Sequence, residues 1–137
     1  MPPFAIKTEV RDTRARTFAF PEQKTMYGGK AIAPGDTVFV FASENEGGPG
    51  LVARGVVTSA RPTPKKRGIA RQTPRVSVTV RRRALAKRRL GRAELKPFAG
   101  GDDGRPEAEL HFKLYRQATN KIAGVSAAAA RFLDGFF

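Results

Sequence analysis

The chain has no cysteine, no tryptophan and a single histidine, and its 12 acidic residues are outnumbered by 26 Lys and Arg. Without cysteine there are neither disulfides nor thiolate metal sites, a usage that fits a reducing compartment. His111 has no second His and no Cys to join it, so the sequence points to no metal. No apolar run approaches the roughly 20 residues that a membrane span needs. The opening Met1-Pro2-Pro3-Phe4 also lacks the basic and apolar regions of a signal peptide. The expectation is a soluble cytoplasmic protein with no membrane partner. Missing tryptophan removes the strongest cation–π residue from any base-binding cage. There is no phosphate-cradling Gly loop, hydrolytic triad or metal cluster, and hence no sign of a cofactor.

What the chain has in excess is positive charge, a formal +14. That excess strains a compact chain by self-repulsion, and a polyanionic partner relieves it through counterion release. Nucleic acid is the natural polyanion; the plainer alternative is that the arginines only keep the protein soluble. The distribution favours a partner, because from Arg61 to Lys96 the sole acid is Glu94. Within that stretch Lys65, Lys66, Arg67, Arg71, Arg81, Arg82, Arg83, Arg88 and Arg89 are the candidate phosphate-binding residues.

A length of 137 residues predicts one domain over 1–137 with a core of its own. Its organising stretch is Gly35–Ala60. Val38-Phe39-Val40-Phe41-Ala42 is an unbroken β-branched and aromatic run, read as a strand buried on both faces. Glu44 to Gly50 supplies turn residues, and Leu51 to Val57 returns as the second strand of a hairpin, with Gly55 permitting a bulge that curves the sheet. Phe4–Val10 reads as an opening strand that projects Lys7 and Glu9 side by side, an ordinary surface ion pair on pattern alone. Arg11–Lys30 reads as irregular, ending in the turn at Tyr27-Gly28-Gly29. A basic loop is expected at about 61–75 and a flexible loop at about 98–107, with an alternating strand at Val76–Val80 and a helical turn at Arg92–Lys96. Leu110–Gln117 also reads as a strand, with Leu110, Phe112 and Leu114 inward. Ser126 caps a helix over Ala127–Asp134 that Gly135 stops. Phe136 and Phe137 either close the barrel or, if exposed, form a weak homodimer contact. The order predicts an α+β, mainly β architecture: a five- to six-stranded curved barrel with short peripheral helices.

Four pieces in register resemble one family. Phe4-Ala5-Ile6-Lys7-Thr8-Glu9 resembles an opening Trp-x-x-Lys-Ser-Glu-Pro, with Phe4 in place of Trp and Val10 in place of Pro. Gly35–Ser43 followed by Gly50–Val57 resembles its central hairpin. Arg92-Ala93-Glu94-Leu95-Lys96 is similar to its Leu-x-Glu-Leu-Lys segment, and Tyr115-Arg116-Gln117 with Ile122–Ser126 to its closing segment. The family is the EVE domain of the thymocyte nuclear protein family, which is PUA-like and more distantly similar to YTH domains.

The resemblance implies a nucleic-acid-binding module, a reader of RNA or of modified-base DNA or RNA, with a pocket between the first strand, the central hairpin and the loop before it. It would draw on Lys7, Thr8 and Glu9 of the first strand, on Tyr27 and Phe41 for stacking, on Gly28 for close approach of the base, on Ser43 and Asn120 for a base edge, and on Arg116 near phosphate. Two other readings stay open. Related ASCH domains include amidohydrolases of modified nucleosides that use Lys, Thr and Glu; here Thr8 points away from Lys7 and Glu9. The third is an RNA-associated structural protein that binds through charge alone.

Overall fold

Strand β3, Thr37–Ala42, is buried from its second residue to its last, as its unbroken apolar run requires. Val38, Val40 and Ala42 enter one hydrophobic cluster, while Phe39 and Phe41 enter another. Side chains alternate along a strand, so these clusters are the two faces of one sheet. The first, with Phe4, Ile6, Phe20, Val57, Val80 and Ile122, fills the inside of a barrel. The second, with Ala5, Leu95, Leu110, Leu114, Ala129 and Leu133, lies between the barrel and its helices.

The computed structural model describes residues 2–101 and 103–137. Its other strands are β1 (Pro3–Thr8), β2 (Thr17–Met26), β4 (Gly50–Pro62), β5 (Arg75–Leu85) and β6 (Lys121–Gly124). They close in the order β1-β3-β4-β5-β2-β6, so the barrel has six strands and the PUA-like α+β architecture expected from the sequence. Strand β1 is the seam. It runs parallel to β3 and antiparallel to β6, which places Lys7 level with Phe41 on one side and with Lys121 on the other. The expected bulge is present, with the β4–β5 register shifting between Arg54 and Gly55. A Cβ on Gly55 would lie 2.5 Å from the Arg81 carbonyl oxygen, so only glycine allows that approach.

The helices are α1 (Arg92–Leu95), α2 (Pro106–Leu110), which continues as a π-helical turn over His111–Tyr115, and α3 (Ala127–Asp134). Ser126 Oγ accepts from Ala129 N at 3.1 Å, the predicted cap. Gly135 follows α3 with φ of −64°, so the helix ends without a left-handed residue.

Several expectations are corrected. The stretch expected as a strand over Leu110–Gln117 is helical through Tyr115 and not extended: residues 110, 112 and 114 alternate, but 110 and 114 are also one helical turn apart. Pro106 at the first turn, with Glu107 and Glu109 behind it, starts the helix. Leu110 and Leu114 are fully buried, while Phe112 is 45% exposed. The stretch 11–30 contains the ten-residue strand β2, despite Pro21. A register shift between Phe20 and Gln23 frees Pro21 from the ladder, Glu22 takes φ of 49°, and its N–H is satisfied by Ser77 Oγ at 2.9 Å. The opening strand stops at Thr8, short of Val10. Strands β4 and β5 reach Pro62 and Arg75, so the basic loop is 63–74. The expected loop at 98–107 is narrowed by a 3-10 turn at Lys96–Phe98 and by α2, and its Asp102 lies outside the described residues. The terminal Phe pair is engaged within its own chain: Phe136 is buried, and Phe137 meets Phe39 at 6.1 Å between ring centroids.

Candidate nucleic-acid interface

On the outer face of β6-β1-β3, under the helices, the sheet carries two lysines where the alternation calls for apolar residues. Lys7 and Lys121 are each 1% exposed, and they sit level on paired strands. Lys121 Nζ donates to the Lys113 carbonyl at 3.1 Å. Burial lowers its pKa to about 8, helped by the charges of Lys7 and Arg116. The Lys7 ammonium lies 5.0 Å from the centroid of the Tyr115 ring. Its pKa is also lowered, by burial first and Arg92 second, with Glu44 and Glu46 pulling the other way.

Tyr115 roofs Lys7. Its ring meets Phe41 edge-on at 6.4 Å, and its hydroxyl donates to Glu44 Oε1 at 3.0 Å. Burial, then the Glu44 charge, hold that hydroxyl protonated well past its ordinary range. The turn after β3 ties the neighbourhood together: Arg92 N donates to Glu44 Oε2 at 2.6 Å, and Asn120 Nδ2 donates to Glu46 Oε1 at 2.6 Å. Ser43, 1% exposed, has an Oγ with no partner among the described residues, although its N–H donates to the Thr8 carbonyl at 2.8 Å.

The expected site residues therefore divide. Lys7, Phe41, Ser43 and Asn120 gather around Tyr115 and Glu44. Thr8 turns to the opposite face of β1, as the alternation from Ile6 requires. Glu9 is exposed and pairs with Arg11 at 3.6 Å, not with Lys7. Tyr27 and Gly28 belong to another cluster. Tyr27 takes φ of 53°, lies 5.8 Å from Phe112 between centroids, and has Lys113 Nζ 5.7 Å from its ring. The Arg116 guanidinium covers Phe112 at 4.1 Å. The vacant concavity expected over β1 is filled, because Tyr115 stands in it. Residue pattern alone does not mark Tyr115, Glu44 or Lys121 as members of the site. A helical period for 110–115 puts Tyr115 one residue past the buried Leu114, and that is the signal that finds it.

Clefts open beside this cluster instead. One of about 260 Å³ is lined by Thr8, Gln23, Lys24, Arg75, Thr119 and Asn120, with Glu22. Another, of about 400 Å³, shares Glu22, Lys24 and Arg75 with it and continues under the basic loop to Lys65, Lys66 and Ile69. A third, of about 520 Å³, shares Thr8 and Gln23 and runs beneath residues 9–15.

The candidate phosphate ligands also divide. Lys65, Lys66, Arg67, Arg71, Arg81 and Arg83 are exposed. Arg82 donates to the Arg14 carbonyl, Arg88 donates to the Gly135 carbonyl and stacks on Phe136 at 4.4 Å, and Arg89 lies 3.7 Å from Glu94. These three already hold structure together.

This arrangement of strands and helices recurs in solved structures. The structure of the DUF55 domain of human thymocyte nuclear protein 1 superposes with a TM-score of 0.62 at 18% identity, covering 94% of each chain. The fold is that of the DUF55, or EVE, domain. Human THYN1 in complex with 5-methylcytosine containing DNA matches with a TM-score of 0.62 at 17% identity, over 96% of this chain and 95% of that one. A Pseudomonas putida protein matches with a TM-score of 0.62 at 15% identity over 98% of both. No protein-family model matches the chain, and no curated protein sequence does. In this EVE fold Tyr115 stands over the buried Lys7 of the opening strand.

Proposed function

We propose that this chain binds nucleic acid and reads one base, extruded or already unpaired, above Lys7. The observation that carries the reading is a buried hydroxyl, Ser43 Oγ, left without a partner among the described residues, together with a buried ammonium, Lys7 Nζ, that rests against the Tyr115 ring. Buried polar groups are almost always hydrogen-bonded, and an exception points to a missing ligand. Tyr115 stands in for that ligand: it is an aromatic ring against Phe41, over a cation, donating into Glu44. A base with an exocyclic amino group, cytosine or adenine, carries the same features, and its ring acceptors suit Lys7 and Ser43. The cleft between Thr8 and Asn120 is its entrance, and the exposed cations of 63–74 take the backbone phosphates. The human relative's complex with 5-methylcytosine DNA supports the same reading, since the two proteins share a fold.

Lys7, Thr8 and Glu9 do not converge, which leaves the amidohydrolase reading without a centre. Binding by charge alone is separated from base reading by its response to salt.

The experiment compares plain and modified oligonucleotides, DNA and RNA, at two salt concentrations. Lys7→Met is expected to erase preference among bases, a loss of about 10-fold or more, while leaving the salt dependence intact. Tyr115→Ala, which vacates the place, is expected to tighten binding of unpaired cytosine or adenine over thymine. Base preference that persists in Lys7→Met would exclude Lys7 as the reading group. No preference in the wild-type protein would leave only the charge-driven function.

A further inference from the structure

The loop 63–74 is more than a run of cations. At its end Ile69 is 51% exposed, one of two large apolar side chains so displayed among the described residues, and the other is already covered on one face by Arg116. The loop carries Lys65, Lys66, Arg67 and Arg71 and no acid. It is also held in shape. Gln72 accepts from Lys66 N at 2.9 Å and donates to the Lys66 carbonyl at 2.8 Å and the Ile69 carbonyl at 3.2 Å, while Thr63 N closes the base of the loop on the Arg75 carbonyl at 2.8 Å. The loop thus displays one apolar side chain, at the edge of the cleft beneath it, amid four like charges.

We infer that Ile69 is a wedge for double-stranded DNA: the four cations grip the two backbones, and the isoleucine enters the minor groove between base steps. Aliphatic side chains carried on basic elements act on duplexes in this way, unstacking a step and kinking the helix. The placement suits the site above Lys7, since the cleft beside Ile69 continues through Lys24 and Arg75 to the cleft at Thr8 and Asn120. A base loosened by the wedge is thus delivered along one groove. The inference rests on the proposed reading of nucleic acid and adds how a duplex, not only a single strand, becomes a substrate for it.

The test uses a DNA duplex with 2-aminopurine beside a cytosine, the matching single strand, and anionic phosphatidylserine vesicles. Wild-type protein is expected to raise 2-aminopurine fluorescence in the duplex as the step unstacks. Ile69→Ser, at an exposed position where the fold does not depend on it, is expected to abolish that rise and weaken duplex binding roughly ten-fold. Its salt dependence and single-strand affinity should stay unchanged, because the cations remain. Unstacking that persists in Ile69→Ser overturns the wedge and leaves base reading intact. A loss confined to vesicle binding overturns it in favour of a lipid surface. Failure of the wild-type protein to bind either oligonucleotide overturns both proposals.

Discussion

Two sets of cations in this protein obey opposite rules. Lys65, Lys66, Arg67 and Arg71 stand in water on a loop, where charge costs nothing and solvent screens it. Lys7 and Lys121 lie under helices, where dehydration disfavours their charge and pulls both pKa values down. In the proposed function the exposed set supplies the affinity that salt removes. The buried set lowers stability, and a cost of that kind persists where the group has work to do. The comparison teaches where to look for specificity: a net charge of +14 advertises a polyanion, but two lysines that the net charge barely registers mark the place that the proposed reading assigns to base discrimination.

The comparison breaks first, and by the largest margin, at the loop. Replacing Lys65, Lys66, Arg67 and Arg71 together by Ala is expected to weaken binding to any oligonucleotide by about 100-fold near physiological salt. The slope of log affinity against log salt should fall by roughly 3–4, close to one for each phosphate that is no longer neutralised. Base preference, measured as a ratio, should not move. If the ratio collapses with the affinity, the exposed and buried cations form one surface and share one role.

Much of this division was legible in residue order. The run Val38–Ala42 announced a strand with two buried faces, whereas Lys7, which alternation pairs with Glu9 as a surface ion pair, gave no sign of its burial under the helices. The basic loop was legible because no acid interrupts it. What failed were the segments whose local pattern fits two periods. Leu110, Phe112 and Leu114 alternate like a strand while 110 and 114 also repeat like a helix, and only packing of 110 and 114 against Leu95 and Leu133 selects the helix. With 110–117 read as extended, Tyr115 could not be placed over Lys7. Strand β6 was invisible for a different reason. At four residues it is too short to show alternation, and its register comes from β1 on one side and β2 on the other. Pro21 hid β2 because a proline inside a strand is acceptable only at an irregularity that tertiary structure supplies.

A smaller effect sharpens the comparison from the buried side. Lys121→Met replaces an interior ammonium by an isosteric apolar chain. A shift of one pKa unit corresponds to about 1.4 kcal/mol, and after allowance for the missing bond to the Lys113 carbonyl the variant should be about 1–2 kcal/mol more stable at pH 7. The sign is fixed by linkage. The folded-state pKa of about 8 lies below the ordinary 10.5, so between those values the unfolded chain holds more protons and wild-type stability rises with pH. Denaturant unfolding across pH 7–10 should show that rise in the wild type and a smaller one in Lys121→Met, where Lys7 alone of the two lysines still titrates low. A flat wild type would mean that the amine is solvated.

The smallest effect concerns a half-buried charge that does have partners. Glu109 accepts from Ser126 N at 2.7 Å and from Lys113 Nζ at 3.0 Å, and Ser126 Oγ donates to it as well. Burial, the largest single influence, opposes its ionisation, yet the bonds from Ser126 and Lys113 together outweigh it and hold the carboxyl below its ordinary 4.5. A depressed carboxyl stabilises the fold above its unfolded pKa, and that contribution disappears as the pH drops from about 4.5 through the lower folded value. Glu109→Gln should therefore cost about 1 kcal/mol at pH 7 and progressively less in acid. Ser126→Ala, which removes the α3 cap along with one of the donors, should cost a similar amount at every pH, with a further part lost only above the Glu109 transition. Equal losses for both variants from pH 3 to pH 7 would show that the carboxylate is solvated and that its bonds in the fold contribute nothing.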